Sequence, residues 1–190
     1  PGHWLRADDN DINYFFYDAN LTLVHRFSAS DALAFDAYAG TDNAKITDPG
    51  YFATMRARWG NIMGALHWLH DAGLWHMRHT IYATSYANMF RLEMEEMKAK
   101  LPSSIADVGW RSDLRWLKWK AGGAFALHRI KPQGVESYGD YELNSTPMLR
   151  TTSLEASLYA DYTQPLGDFF SVDAGVRASL FSCGGSQFAA

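Results

Sequence analysis

Apolar and polar residues alternate along most of this chain with a period of two, and that restricts it to half-buried β-strands more sharply than any other feature. From Ala106 to Trp116, Ala106, Val108, Trp110, Ser112, Leu114 and Trp116 alternate with Asp107, Gly109, Arg111, Asp113 and Arg115. A helix would spread those charges around its circumference, whereas a strand puts them all on one side. Phe170, Val172, Ala174, Val176, Ala178 and Leu180 repeat the pattern against Ser171, Asp173, Gly175, Arg177 and Ser179. About eight such segments run through the chain, joined alternately by tight turns and long polar connectors.

Composition does not oppose a membrane wall. The 190 residues are 47% hydrophobic and 15% aromatic. Composition alone does not choose between a soluble and a membrane protein: the negative mean hydropathy of −0.26 excludes helical spans and leaves open a barrel, in which only every second strand residue must be apolar. No run approaches the roughly 18 apolar residues of a transmembrane helix. A formal charge of −4 gives no basic surface for nucleic acid. The single cysteine, Cys183, cannot form an internal disulfide. The first residue is Pro1 and no signal-peptide pattern follows it, so the expectation is an internal piece of a longer chain.

Residues 1–12 carry Asp8, Asp9 and Asp11 and read as a loop. The first strand is expected from Tyr14 to Phe27, with Tyr17, Ala19, Leu21, Leu23 and Phe27 opposite Asp18, Asn20, Thr22 and Arg26. A short polar turn leads to the second, where Leu33, Phe35, Ala37 and Ala39 alternate with Ala34, Asp36, Tyr38 and Gly40. A long connector is expected over 41–58, then strands near Trp59 to His70 and Trp75 to Tyr86, the latter without a clear facing. Over Ala87 to Leu101, good helix formers with Phe90, Met94, Met97 and Leu101 at i, i+4, i+7 and i+11 predict a short amphipathic helix ended by Pro102. Strands follow from Ala106 to Trp116 and, after a two-residue turn at Leu117 and Lys118, near Trp119 to Ile130, where Gly122, Gly123, Ala124 and Ala126 predict close approach. A long loop over 131–152 precedes the last two strands, near 154–162 and 170–181. Short turns inside and long loops outside would put both ends of the chain on the extracellular side. Trp59, Trp68, Trp75, Trp110, Trp116 and Trp119 are expected mostly near strand ends, where aromatic girdles lie.

Several segments resemble the barrel of TonB-dependent outer-membrane receptors of the Bacteroidetes type. Tyr17-Asp18-Ala19-Asn20-Leu21-Thr22-Leu23 through Arg26-Phe27-Ser28, then Asp31 to Tyr38 and Gly40, is similar to a hairpin of that family. Trp59-Gly60-Asn61 with Trp68, His70, Tyr82 and Ser85-Tyr86 resembles the next hairpin, and Phe125 to Pro132 the strand that climbs into a large external loop. Leu158-Tyr159-Ala160-Asp161 followed by Ala174-Gly175-Val176-Arg177 is similar to the family's Tyr-x-x-Asp and Gly-Leu-Arg pair, with valine in place of leucine. The plug domain, energy-coupling box and terminal aromatic strand are not among these residues, and the turn at Leu117 is shorter than the family's. The resemblance implies an all-β fold: about eight strands of an antiparallel up-and-down transmembrane barrel wall of the 22-stranded type, with residues 1–190 one partial barrel domain. It further implies a Gram-negative outer-membrane receptor that imports a siderophore, vitamin, glycan or peptide. Its partners would be outer-membrane lipid, a plug in the same full-length chain, a TonB-type energy-coupling complex and an extracellular small-molecule ligand.

Asp18, Asn20, Asp36, Tyr38, Arg111, Asp113, Arg115, Tyr159, Asp161, Asp173 and Arg177 are the candidate lumen-facing residues. As a face of alternating charges they form cross-strand pairs rather than acid–base groups. No nucleophile motif such as Gly-x-Ser-x-Gly appears, so no catalytic role is assigned. His67, His70, His76 and His79 tempt a metal assignment. Spacings of three put His67 and His70 on opposite faces, as they do His76 and His79, and no carboxylate or cysteine spacing accompanies them. No metal or cofactor is therefore expected. The other classes to weigh are a passive porin or structural outer-membrane barrel, and a soluble β-barrel that binds a small ligand.

Overall fold

The computed structural model describes residues 3–7, 10–139, 150–184 and 186–189. The strands are β1 (His3–Ala7), β2 (Asn10–Arg26), β3 (Asp31–Asp48), β4 (Ala53–Ala72), β5 (Trp75–Glu93), β6 (Met97–Trp116), β7 (Trp119–Lys131), β8 (Glu136–Gly139), β9 (Thr151–Pro165), β10 (Ser171–Cys183) and β11 (Ser186–Ala189). All pair antiparallel in one up-and-down sheet, in sequence order except that β7 neighbours β9 while β8 pairs with the upper part of β6. The eight expected strands correspond to β2–β7, β9 and β10. No described residue is helical, and the sheet is not closed.

The sheet is a single layer. Among the described residues the buried apolar side chains are four alanines, Ala32, Ala65, Ala99 and Ala126, and Pro102, and no large side chain is fully buried. An ordinary domain packs a second layer over such a sheet. Here Ile62, Leu158 and Val176 are 60%, 70% and 75% exposed.

Several expected loops are strands. Thr41–Asp48 continue β3 and Ala53–Arg58 belong to β4, so the expected 41–58 connector is a hairpin extension closed by a tight turn. There Asp48 Oδ1 accepts hydrogen bonds from the Gly50 and Tyr51 backbone N–H groups at 2.9 and 3.2 Å. The expected 87–101 helix is likewise absent: β5 runs to Glu93, Met94–Glu96 turn, and β6 starts at Met97. Pro102 ends no helix but lies within β6 opposite Met89. Its carbonyl accepts from Gly134 N–H at 3.4 Å, and residue N and O share a side in a strand. The missing N–H therefore faces the gap between β7, whose pairing stops at Ser104, and β8, whose pairing begins at Lys100, and a strand tolerates proline there. Residues 1–12 hold β1 and the start of β2 rather than a loop, and β8 interrupts the expected 131–152 loop, whose residues 140–149 lie outside the described ones.

Turns at one end are short throughout. Gly73 and Leu74 join β4 to β5, and Leu117 and Lys118 join β6 to β7, each with its first residue at positive φ, +62° and +52°. These turns step along the ladder in one direction. Ala32 pairs with Leu69, three residues inside the end of β4 at Ala72, and Trp119 pairs with Tyr162, three residues inside the end of β9 at Pro165. Such a stagger tilts the strands, as barrel walls require.

Candidate functional site

Register assigns every strand residue to one of two faces, because directly paired residues point the same way. One face is apolar near the short turns. Phe35, Leu66, Ile81, Trp110 and Phe125 share one rung, and Ala37, Gly64, Ala83, Val108 and Leu127 the next. Along β6 this face runs from Trp116 to Ala106, ten residue steps, which is about 34 Å along the strand and about 26 Å once tilted by ~40°. At its lower margin Trp75, Trp116, Trp119 and Tyr162 form one row across β5, β6, β7 and β9. Trp75 stacks on Trp116 at 5.1 Å and Trp119 tilts against Tyr162 at 4.8 Å. Trp68, stacked on His79 at 5.3 Å, lies two rungs above that row on the same face. The other two tryptophans depart from the expected girdle. Trp110 is in the middle of the apolar face, and Trp59 is on the opposite face stacked near Tyr14 at 6.5 Å, since β3 and β4 run on past the ends foreseen for them.

The opposite face carries all eleven candidate residues. Asp18 and Asn20 lie on it in β2, Asp36 and Tyr38 in β3, Arg111, Asp113 and Arg115 in β6, Tyr159 and Asp161 in β9, and Asp173 and Arg177 in β10. Register also fixes the facing of β5, which puts His76, Arg78, Thr80, Tyr82 and Thr84 on this side and Met77, His79, Ile81 and Ala83 on the other.

The polar face is laced together across strands. Asp36 accepts from Thr22 Oγ1 at 2.6 Å and meets His67 Nε2 at 3.1 Å, while His67 Nδ1 reaches Thr80 Oγ1 at 2.8 Å. Asp107 receives Thr84 Oγ1 at 3.2 Å and His128 Nδ1 at 2.7 Å. Arg111 grips Asp113 with two bonds of 2.8 and 3.0 Å, and the Tyr159 hydroxyl donates to the same carboxylate at 2.6 Å. Arg177 lies over the Tyr159 ring at 5.5 Å. Thr163 donates to Asp173 at 2.5 Å. Arg111, Lys120, Tyr159, Asp161 and Arg177 line one open depression, and Arg115 another with Asp71, His76 and Arg78. Asp18, Asn20 and Tyr38 join neither network.

Glycines let this face pack flat. Tyr82 lies directly opposite Gly109, and Tyr159 opposite Gly122, so that a Cβ at either glycine would run into the ring. At Gly122 the added atom would also meet Ser112 O at 2.5 Å, a backbone contact that cannot swing away. The close approach expected for the 122–126 stretch has this origin.

The sequence reading missed Thr80, Thr84 and His128 as members of the polar face, and it did not name His67, Asp107 or Glu155 as candidates although the alternation had put them there. Their signal is parity alone, and it is readable in β5 once the Gly73-Leu74 turn is fixed. The four clustered histidines separate. His67 and His76 lie on the polar face, His70 and His79 on the other, each with its own partner: His70 Nδ1 with Asp31 at 2.7 Å and His76 Nδ1 with Asp71 at 2.7 Å. Among the described residues no group of three metal-ligating side chains converges.

At the short-turn end Asp31 organises the β2–β3 turn. Its carboxylate accepts from Ser28 Oγ at 2.9 Å, Trp68 Nε1 at 3.1 Å and His70. Those bonds, led by the one to His70, hold it below the usual carboxylate range. No protein-family model, curated protein or solved structure matches this chain.

Proposed function

We propose that the chain forms part of the wall of an outer-membrane β-barrel of the TonB-dependent receptor type, importing a scarce nutrient with energy delivered through a plug. The single observation that carries the membrane part of this reading is the coreless sheet. It has one apolar face as tall as a bilayer's hydrocarbon region, an aromatic row at its margin, and an opposite face closed by hydrogen bonds. Lipid is the partner that covers such an apolar face without a second protein layer. The polar face would line the lumen, and Arg111, Asp113, Tyr159 and Arg177 would meet the plug or the passing ligand. No residue is assigned a chemical step. Strands of 17 to 20 residues in β2–β6 support a large barrel with walls continuing above the bilayer, since crossing needs only about 9–11 residues. The import part rests on the resemblance of segments such as 158–161 and 174–177.

The test uses the full-length protein in its own cells. Outer-membrane fractionation, combined with ligand accumulation that stops when the proton-motive force is dissipated, is the expected result. Passage that continues without the proton-motive force would replace the import reading with a passive porin. Recovery in a soluble fraction would overturn the membrane reading itself.

A further inference from the structure

The amphipathicity of the sheet inverts toward the end that bears the β3–β4 and β5–β6 turns. On the lumen side of the proposed wall, Ala44, Ala57, Phe90 and Leu101 form one rung, and Ile46, Met55, Leu92 and Ala99 the next. Between those rungs, on the side that is apolar lower down, Lys45, Arg56, Arg91 and Lys100 stand directly beside one another on four successive strands. Like charges in opposed cross-strand positions repel, so four in a row need an anion to hold them. Three carboxylates share this face nearby. Glu93 meets Arg56 at a long 3.9 Å, Glu136 pairs with Lys100 in register, and Asp11 lies one rung above Lys45. Arg58 beneath and Lys98 above add two more cations, so positive charge outnumbers negative by six to three across these nine groups. Lys45, Arg56 and Arg91 are exposed, and the Lys100 ammonium stands 5.3 Å over the Tyr138 ring.

Below the row come Asn43, Arg58, Met89 and Pro102, then Thr41, Gly60, Ala87, Ser104 and Lys131, and the apolar band begins beneath them with Ala39 and Ile62. A ligand that fits both parts has phosphates at one end and acyl chains at the other. Resting on the membrane reading above, we propose that Lys45, Arg56, Arg91 and Lys100 bind the phosphorylated head of an outer-leaflet glycolipid, whose acyl chains lie on the apolar face beneath. Arginine grips phosphate with two parallel bonds and lysine adds point charge, each at a membrane surface where one such contact carries about a factor of five.

The test uses the full-length protein folded in detergent, with native mass spectrometry and titration against bisphosphorylated lipid A, its dephosphorylated analogue and inorganic phosphate. A variant combining Lys45→Gln, Arg56→Gln, Arg91→Gln and Lys100→Gln is compared, its folding checked by heat-modifiable gel mobility. The expected result is lipid A binding that falls at least about tenfold on removal of its phosphates, and by as much again in a folded variant. A second variant, Arg56→Lys with Arg91→Lys, guards against a misfolded first one and is expected to keep about half or more of the binding. Equal binding of the dephosphorylated analogue, unchanged affinity in the folded variant, or inorganic phosphate competing at the lipid's own concentration would overturn the inference while leaving the barrel standing. Failure of the protein to enter detergent micelles or vesicles at all would overturn the barrel reading and this one with it.

Discussion

At the scale of single residues, two turns of the same geometry make an internal comparison. Gly73 and Leu117 each occupy the first central position of a two-residue hairpin at positive φ, and only one of them is the residue that the conformation favours. Leu117→Gly is therefore expected to stabilise the β6–β7 hairpin by about 1 kcal/mol, and Gly73→Leu to weaken β4–β5 by a similar amount, both read as shifts in the urea midpoint of the detergent-folded protein. Gly122→Val is expected to cost about 2 kcal/mol, because its side chain must enter space held by the Tyr159 ring and the Ser112 carbonyl. Equal midpoints for Gly122→Val and the unaltered protein would show that the ring and the Ser112 carbonyl both give way without cost. Asp31 sets a pH dependence. Its carboxylate is held below its usual range, so its contribution is present above the unfolded value near 4 and is lost as pH falls through the lower folded value. Asp31→Asn is expected to flatten part of the acid loss of stability below about pH 4 without changing the slope at neutral pH.

Among elements, the orientation proposed for the wall, with the Leu117-Lys118 end toward the periplasm, is one that labelling can check. The Met94–Glu96 turn closes the end bearing the cationic row, and Leu117-Lys118 the end bearing the tryptophan row. In the full-length protein with Cys183→Ser, a membrane-impermeant maleimide added to intact cells is expected to label Glu95→Cys and to reach Lys118→Cys only after permeabilisation. The reverse pattern would invert the proposed orientation. The lower halves of β2–β4, β6, β9 and β10 were legible in the sequence because each has one uninterrupted phase of alternation, and that same phase put all eleven candidate residues on one face. The upper halves of β3–β6 were not, for a physical reason. Apolar positions pass from Ala83 and Ala87 on one face to Phe90 and Leu92 on the other, and a phase flip within a strand places hydrophobes at spacings of three and four. Phe90, Met94, Met97 and Leu101 mimic a helix in this way, although Phe90 and Leu101 are cross-strand partners and Met94 and Met97 bracket a turn. The same flip between Ala39 and Ala44 made 41–58 read as a connector. Histidine and threonine at polar-face positions gave little contrast with their neighbours, which left β5 without a facing.

The whole molecule combines two separate liabilities, and detergent addresses only one of them. The apolar face exposes large side chains over nearly every strand, and micelles cover it as lipid would. The sheet margins are different: β1 pairs only with Asn10–Tyr14 and β11 only with Leu180–Cys183, so among the described residues Phe15–Arg26 and Ser171–Ser179 are paired on one side only, which leaves rows of backbone donors and acceptors that a micelle cannot satisfy. Without detergent the 190-residue chain is expected to aggregate. In detergent it is expected to keep its β-sheet circular dichroism yet associate edge to edge, with a mass by light scattering that rises with protein concentration. Proline substitutions at positions of Phe15–Arg26 and Ser171–Ser179 whose N–H points outward should then lower that mass without loss of sheet signal, whereas polar substitutions on the apolar face, such as Leu158→Ser and Val176→Ser, should lower the detergent requirement and leave the association intact. A monomer in plain buffer that unfolds cooperatively would contradict both halves of this argument, because a coreless sheet of this size has no other means of sheltering its face and its edges.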